Sequence, residues 1–477
     1  MSLFQISEEQ ILDRIRFENP WWIAGHIDPH FRAMTKRLYF NKLHSLITQE
    51  AVKRAVVLMG PRRVGKTVML FHSIQHLIDS GIDPQRIIYL SIETPIYNGI
   101  GLEELMKLCL KAVSKESTNE KLYIFFDEVQ YLKDWEIHLK SLVDSYHHIK
   151  FVVSGSAAAA LKLKSNESGA GRFTDFTLPP LTFHEYIHLK KLTSLILPKT
   201  TLWNNHQVRV FDTLNIQLLN EHFINYLNYG GYPEVSLTEE VQTNTSRFIK
   251  SDIIDKVLLR DLPSLYGIQD IQELNALFTT IAFNTGNEFS IEKLASRSGV
   301  AKNTIKKYLN YLEAAFLIKV VNRIDLSGKR FKRANKFKIY LTNPSLRSAL
   351  FSPISATSEY IGNLVETSIY AQWFHRYWFT PYYANWAKGE VDIVGLSPDQ
   401  LSPSWAVEIK WSNRFASHPQ ELSSLLSFMN QNALKRAVIT TIDRTRKVEY
   451  DDVTLDFMPA SLYCYTVGFR TLEAEEN

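Results

Sequence analysis

The stretch RAVVLMGPRRVGKTVMLFHSIQHLI, residues 54–78, constrains this chain more than any other. Its centre, GPRRVGKT, fits G-x-x-x-x-G-K-[ST] without a mismatch, with Gly60, Gly65, Lys66 and Thr67 at the fixed positions. An apolar strand pattern precedes it and a helical pattern follows, which is the context a phosphate-binding loop requires. Glycines let backbone N–H groups curl around phosphate oxygens, and the helix N-terminus adds positive potential. The candidate nucleotide cradle is therefore Gly60, Pro61, Arg62, Arg63, Val64, Gly65, Lys66, Thr67 and Val68. In such a loop Lys66 reaches the β- and γ-phosphates of ATP and the Thr67 hydroxyl ligates Mg²⁺.

A loop of this kind needs acidic partners, and LYIFFDEVQYL, residues 122–132, supplies them. A buried strand ends in Asp127 and Glu128, at the carboxyl edge where open parallel sheets place ligands. Asp127 is expected to hold Mg²⁺ through water and Glu128 to polarise the attacking water. FVVSGS follows at 151–156, where Ser154 or Ser156 brings a hydroxyl toward the γ-phosphate, although a Ser-Gly-Ser turn is also common in its own right.

A chain of 477 residues holds two to four domains. Residues 1–45 read as a helical segment. Residues 46–194 alternate near-continuous apolar runs with helical patterns, the signature of a parallel sheet covered on both faces, and form a P-loop core. Residues 195–285 read as a helical lid without strands, 286–345 as a winged helix-turn-helix, and 346–477 as a second α/β unit. The fold class is α/β throughout its two sheet-bearing parts. Cys109 and Cys464 are too few for a disulfide framework or a zinc site, which fits a reducing cytosol. No run of 18 apolar residues occurs and the N-terminus does not read as a secretion signal, so a cytoplasmic protein with no membrane partner is expected.

Residues 289–318 place Ile305, Tyr308, Leu309 and Leu312 on one face of a helix that follows a tight turn at Ser298-Gly299-Val300. Lys302, Asn303, Thr304, Lys306 and Lys307 sit near that helix's start, the part of a recognition helix that enters a major groove. From 329 to 338, six of ten residues are Lys or Arg, with no acid. A wing of that composition suits DNA phosphates, since each neutralised phosphate releases condensed counterion. Two other readings stay open: a protein–protein adaptor, and a solvated hairpin that protects a sheet edge.

In the last part, EYIGNLVETSIYAQWFHRYW places Glu366 on a helix, GEVDIVG presents Asp392, and AVEIKW presents Glu408 and Lys410 on one strand face. Two carboxylates, Asp392 and Glu408, could grip a divalent cation while Lys410 orients or activates water. Hard oxygen ligands favour Mg²⁺ or Mn²⁺. The order helix-Glu, strand-Asp, strand-Glu-x-Lys resembles the PD-(D/E)xK restriction-endonuclease-like superfamily. Metal-dependent cleavage of DNA and a nuclease-like fold used only for binding are both compatible with it.

The order GPRRVGKT, FFDEVQYLKDW, VVSGSA, GAGRFTDFTLPPLTFHEY, GGYPEV and SDIIDKVLLRDL resembles archaeal and bacterial P-loop ATPases of the AAA-like superfamily that carry a C-terminal DUF4143 region. The resemblance runs from about residue 35 to beyond 410, with Asn343 standing where an Asp is expected. It implies ATP hydrolysis, a homo-oligomer, and a trigger role for Arg172 as an arginine finger or sensor. The expected function is an ATP-hydrolysing, DNA-associated protein of DNA maintenance, recombination or defence. The alternative is an ATP-dependent switch that acts on a protein partner, with a silent nuclease-like tail.

Overall fold

The run Ala55–Met59 is buried at every residue, which only a strand covered on both faces allows. The computed structural model describes residues 6–113, 121–156, 171–203, 206–244, 246–331, 336–375, 379–399 and 402–473. They fall into two compact units, Met1–Pro179 and Pro180–Asn477. Residues 180–194, read from sequence as part of the P-loop core, thus lie with the second unit.

In the first unit, β1 (Ala55–Met59), β2 (Ile87–Ser91), β3 (Leu122–Asp127), β4 (Ile149–Gly155) and β5 (Phe173–Thr177) form one sheet in the order β2-β3-β4-β1-β5. Every pairing is parallel. The connections are therefore crossovers, and α1 (Lys66–Asp79), α2 (Leu102–Ala112) and α3 (Trp135–Ser145) supply helices between the strands. The amino-terminal helix Glu8–Glu18 is capped by a Ser7/Gln10 box and buries Ile11, Leu12 and Ile15. Asn19 bonds the backbone of Tyr89 in both directions, and the indoles of Trp21 and Trp22 both donate to the Ile87 carbonyl at 2.9 Å. The early helices are thus fastened to edge strand β2.

The second unit departs from the sequence reading in two places. The expected all-helical lid opens with a two-stranded antiparallel ribbon, β6 (Ile196–Trp203) and β7 (His206–Thr213), before α4 (Ile216–Tyr229) and the π-helical turns of Ser246–Asp255. The segments read from sequence as winged helix and as tail share one sheet. Its strands are β8 (Glu288–Ser290), β9 (Ile318–Ile324), β10 (Lys336–Leu341), β11 (Tyr382–Trp386), β12 (Gly389–Leu396), β13 (Pro403–Glu408), β14 (Arg436–Thr441), β15 (Arg446–Tyr450) and β16 (Val453–Pro459). They run β15-β16-β14-β13-β12-β11-β9-β10-β8, and the seam is the parallel pairing of β11 with β9.

Helices α5 (Ile271–Phe283), α6 (Ile291–Ser298) and α7 (Lys302–Ala314) pack together beside β8–β10. The first of the three falls in the segment read as lid. Gly299 closes α6 at φ +76°, the left-handed cap that makes the tight turn possible. Helix α8 (Ile361–Trp373) precedes β11, and α9 (Ser423–Gln431) lies between β13 and β14. The run from α8 to β14 is thus helix, antiparallel β11-β12-β13, helix, then β14 parallel to β13. No helix among the described residues is long and apolar enough to cross a membrane.

Candidate nucleotide site and the acidic cluster of the second unit

The turn from β1 into α1 is possible only with its glycines. Gly60 has φ +157°, and a Cβ there would lie 2.2 Å from the Leu178 carbonyl oxygen. Gly65 has φ +93° and stands at the helix N-cap, where no side chain caps the helix. The first N–H groups of a fourteen-residue helix therefore face the loop without a side-chain acceptor, which suits an anion. Lys66 is buried at 4% exposure, and its ammonium donates to the carbonyls of Gly60 (3.2 Å) and Pro61 (3.0 Å). Arg63 takes φ +61° within the loop. Pro61, Arg62, Val64 and Val68 complete the same turn and the start of α1.

Strand β4 lies between β1 and β3, yet their carboxyl ends meet: the Thr67 hydroxyl donates to Asp127 Oδ2 at 2.7 Å. Asp127 is 2% exposed and collects two more hydroxyls, Tyr89 on Oδ2 (2.9 Å) and Ser154 on Oδ1. Burial, and then the neighbouring Glu128, push the Asp127 carboxyl above its ordinary range, while Ser154, Thr67 and Tyr89 pull it back. Glu128 sits at φ +56°, a left-handed conformation that turns its side chain away from the path of β3. Its backbone N–H reaches Asp127 Oδ1 (3.1 Å) and Ser154 Oγ (3.3 Å). Gln130 donates to Glu128 Oε2 and accepts from the Ser156 N–H at 3.2 Å.

Three contributors escape the motif reading. Tyr89 looks like one more apolar strand residue, and Gln130 lies outside the acidic pair. Arg37, 5% exposed, holds the loop from outside through Val64 O (2.7 Å) and Pro179 O (3.0 Å). The donor set fits Mg-ATP: an uncapped helix start, a lysine on loop carbonyls, and a hydroxyl–carboxylate pair.

Arg172 does not join this group. Its carbonyl accepts from Ala55 N at the amino end of β1, whereas the loop leaves the carboxyl end. Five residues at 3.3 Å separate the two edges by roughly 16 Å. Its guanidinium pairs with Asp144 at 3.1 Å.

The tail residues do come together, with an addition. Lys338 of β10, 3% exposed, puts its ammonium 2.8 Å from Glu366 Oε1, 2.6 Å from Glu390 Oε1 and 3.8 Å from Asp392 Oδ1. Lys410 lies 2.6 Å from Glu408 Oε1 and 3.8 Å from Asp392 Oδ2. Asp392 Oδ2 also accepts the Ile409 N–H at 2.7 Å, and the Tyr340 hydroxyl donates to Glu366 Oε1 at 2.5 Å. Burial pulls the Lys338 ammonium down, but Glu366, Asp392 and Glu390 outweigh it and hold it well above its usual value. Burial, and then Asp392, push Glu408 up to about 8. No group of three or more His, Cys, Asp or Glu side chains among the described residues is disposed to hold a metal ion. Beside the expected Mg²⁺ or Mn²⁺ pair, Asp392 and Glu408, and the expected Lys410, a second ammonium, that of Lys338, stands among the carboxylates.

The basic hairpin is also thinner in free charge than its sequence. Lys338 faces the cluster instead of solvent, Lys336 pairs with Glu288 at 3.0 Å, and residues 332–335 lie outside the described residues. Lys329 and Arg330 are exposed, as are Lys302, Asn303, Lys306 and Lys307 at the start of α7, while Thr304 is half-buried.

Residues 52–187 match the family model described as AAA domain, and residues 220–358 match a domain of unknown function, DUF8612. The latter model, not DUF4143, is the one matched in the middle of the chain. An uncharacterized protein of Haemophilus influenzae is 28% identical over 313 residues, covering 64% of this chain and 72% of the relative. An uncharacterized protein of Methanocaldococcus jannaschii, MJ1637, is 25% identical over 359 residues, covering 72% and 73%. Among solved structures, the Aeropyrum pernix ORC1 protein in complex with DNA overlaps 69% of this chain and 95% of its own, at 12% identity and a TM-score of 0.32. An overlap that loose decides neither fold nor partner. The matched AAA model and the joined loop and acidic pair agree: residues 52–187 are built like an AAA-type ATPase domain.

Proposed function

We propose that this protein binds and hydrolyses Mg-ATP at the β1–α1 loop and couples turnover to DNA engaged by its second unit. One observation carries the nucleotide part: Thr67 and Asp127 meet at 2.7 Å beside a helix start without a side-chain cap. Thr67 and Asp127 are the residues that would hold Mg²⁺, which would supply charge neutralisation at the phosphates. The chain's own groups do the rest. Lys66 exchanges two loop carbonyls for phosphate oxygens. Glu128 takes a proton from the water whose oxygen bonds the γ-phosphorus as the bond to the departing ADP oxygen breaks, and Gln130 fixes the carboxylate that takes the proton. Ser154 keeps Asp127 oriented.

For DNA the support is the row of exposed Lys302, Asn303, Lys306 and Lys307 at the start of α7, with Lys329 and Arg330 on the hairpin. The second reading, an ATP-gated switch on a protein partner with a catalytically silent tail, draws on the burial of Lys338 and the pairing of Lys336. ATP turnover measured with and without duplex, branched and single-stranded DNA at low salt separates the two. We expect Lys66→Ala to abolish turnover, Glu128→Gln to keep binding but lose turnover, and DNA to change the rate in a salt-dependent way. An absence of affinity for adenine nucleotides with magnesium present defeats the whole proposal, and a rate indifferent to every DNA supports the switch.

A further inference from the structure

The acidic cluster of the second unit has four carboxyls and two ammonium groups on adjoining strands and one helix. Glu390 and Asp392 come from β12, Glu408 from the end of β13, and Glu366 from α8. Lys410 follows β13. Lys338 arrives from β10, which is separated from β12 in the sheet by β9 and β11. Its backbone is fixed in the ladder opposite Val321 and Glu288, between the buried Phe337 and Ile339. A lysine placed so turns its side chain into the cluster and away from solvent, at 4% exposure.

We infer that the Lys338 ammonium is the resident cation of this cluster, standing where a divalent metal would bind and keeping one out. Most of the oxygens that a metal would need already face an ammonium or another donor. Glu366 Oε1 accepts from Lys338 and Tyr340, Glu390 Oε1 faces Lys338, and Asp392 divides its two oxygens between Lys338 on one side and Lys410 with Ile409 N on the other. Glu390 Oε2 accepts from the Asn385 amide at 2.7 Å. One buried oxygen, Glu408 Oε2, lacks a hydrogen-bond partner, and Mg²⁺ or Mn²⁺ demands several ligands in near-octahedral array. A fixed monovalent charge within 4 Å also repels any second cation brought to the same oxygens. The Tyr383 ring, 5.4 Å from the ammonium, adds a face that favours a cation there. The cluster thus has the residue types of a two-carboxylate metal site while Lys338, together with Lys410, supplies its positive charge.

Mn²⁺ titration of the full-length, nucleotide-free protein, followed by the paramagnetic resonance of free Mn²⁺, tests this. Asp392→Asn serves to identify binding at the cluster. The wild-type protein should show no Mn²⁺ uptake that Asp392→Asn removes. Lys338→Met, which keeps most of the side chain's length and removes the charge, should gain one Asp392-dependent Mn²⁺ site, bound on the order of 10–100-fold more tightly than any Mn²⁺ the wild type takes up. Lys338→Arg, which keeps the charge, should not gain it. An Asp392-dependent site in the wild type as tight as that in Lys338→Met overturns the inference. A folded Lys338→Met protein without such a site overturns it too. If Lys338→Met does not fold, the wild-type titration against Asp392→Asn decides alone: uptake at the cluster overturns the inference and its absence upholds it. Nucleotide is left out, so the result is separate from ATP binding at Lys66.

Discussion

Replacing Tyr89 by Phe removes one oxygen atom from the group of hydrogen bonds that converges on Asp127. That oxygen donates to Asp127 Oδ2 at 2.9 Å, and the same carboxylate oxygen accepts from Thr67 at 2.7 Å. A hydrogen bond to an ionised group contributes about 1.5–3 kcal/mol, against about 0.5–1.5 kcal/mol between neutral groups. Tyr89 is 5% exposed, so water does not replace the lost donor. Asp127 is already raised by burial and by Glu128, and loss of one hydroxyl raises it further. The sign follows. A carboxyl with a raised folded-state pKa destabilises the fold above that pKa, and the penalty is relieved as pH falls through it.

The cost of Tyr89→Phe is therefore largest at pH 8 and shrinks in acid as Asp127 takes a proton. Amide hydrogen exchange of β2 and β3 reads this locally, without assuming that the two units unfold together. At pH 8 the variant should exchange Leu90 and Phe126 about 10- to 150-fold faster than wild type, the rate equivalent of 1.5–3 kcal/mol. At the acid end the ratio should fall. Affinity for Mg-nucleotide should drop more than affinity for nucleotide with magnesium chelated, because Asp127 is loosened and Lys66 is not. Exchange within about threefold of wild type at pH 8 would refute the premise that the hydroxyl carries a share of this carboxylate's charge.

Three further expectations follow from the same geometry. Gly60→Ala places a Cβ 2.2 Å from the Leu178 carbonyl oxygen at φ +157°, so the loop must shift; nucleotide titration should show at least about tenfold weaker binding. His184 lies against the rings of Tyr465 and Phe469 at 4.9 and 5.1 Å, and burial first, then His188, lowers its pKa to about 3. The unfolded chain takes up that proton near pH 6.5 while the folded one does not, so stability is lost as pH falls from about 6.5 toward 3. Between pH 8 and pH 5 the loss is about 2 kcal/mol, and His184→Phe should remove it from urea titrations at the two pH values. Arg172→Ala should leave ATP turnover unchanged in dilute protein. A decrease that appears only at concentrations where the protein self-associates would place Arg172 at a neighbour's nucleotide, and a decrease independent of concentration would contradict its position about 16 Å from its own loop.

The phosphate loop was legible because its chemistry is local. Eight consecutive residues set the turn, and the flanking strand and helix announce themselves by composition. Asp127 and Glu128 were legible for the same reason, as the polar end of an apolar run. What escaped was set by partners far along the chain. Tyr89 became a ligand of Asp127 only through the parallel pairing of β2 with β3, and Arg37 reached Val64 across a loop. The β6–β7 ribbon escaped because it has no apolar run to betray it: of the residues whose burial is described, only Ile196 and Phe211 are in the core. Lys338 was misread for a sharper reason. In a stretch with six basic residues of ten, charge suggests solvent, yet alternation along β10 puts Lys338 and Tyr340 on one face. That face meets Glu366, Glu390 and Asp392, whose positions no local rule supplies.

The shared sheet changes what gripping the hairpin can do. Arg323 and Ile324 of β9 pair with Tyr383 and Ala384 of β11, and β11 pairs in turn with β12, which carries Asp392. Lys338 then ties β10 to the same carboxylates from the side. A load placed on α7 or on Lys329 and Arg330 is therefore borne by a continuous ladder reaching the acidic cluster, not by a tether between two separate domains. A hairpin joined by a linker could move while the tail stayed still. This one cannot shift along its strand direction without breaking either the β9–β11 register or the Lys338 contacts. If the second unit does hold a polyanion, the strain of holding it falls on the β9–β11 register and on the contacts of Lys338 with Glu366, Glu390 and Asp392.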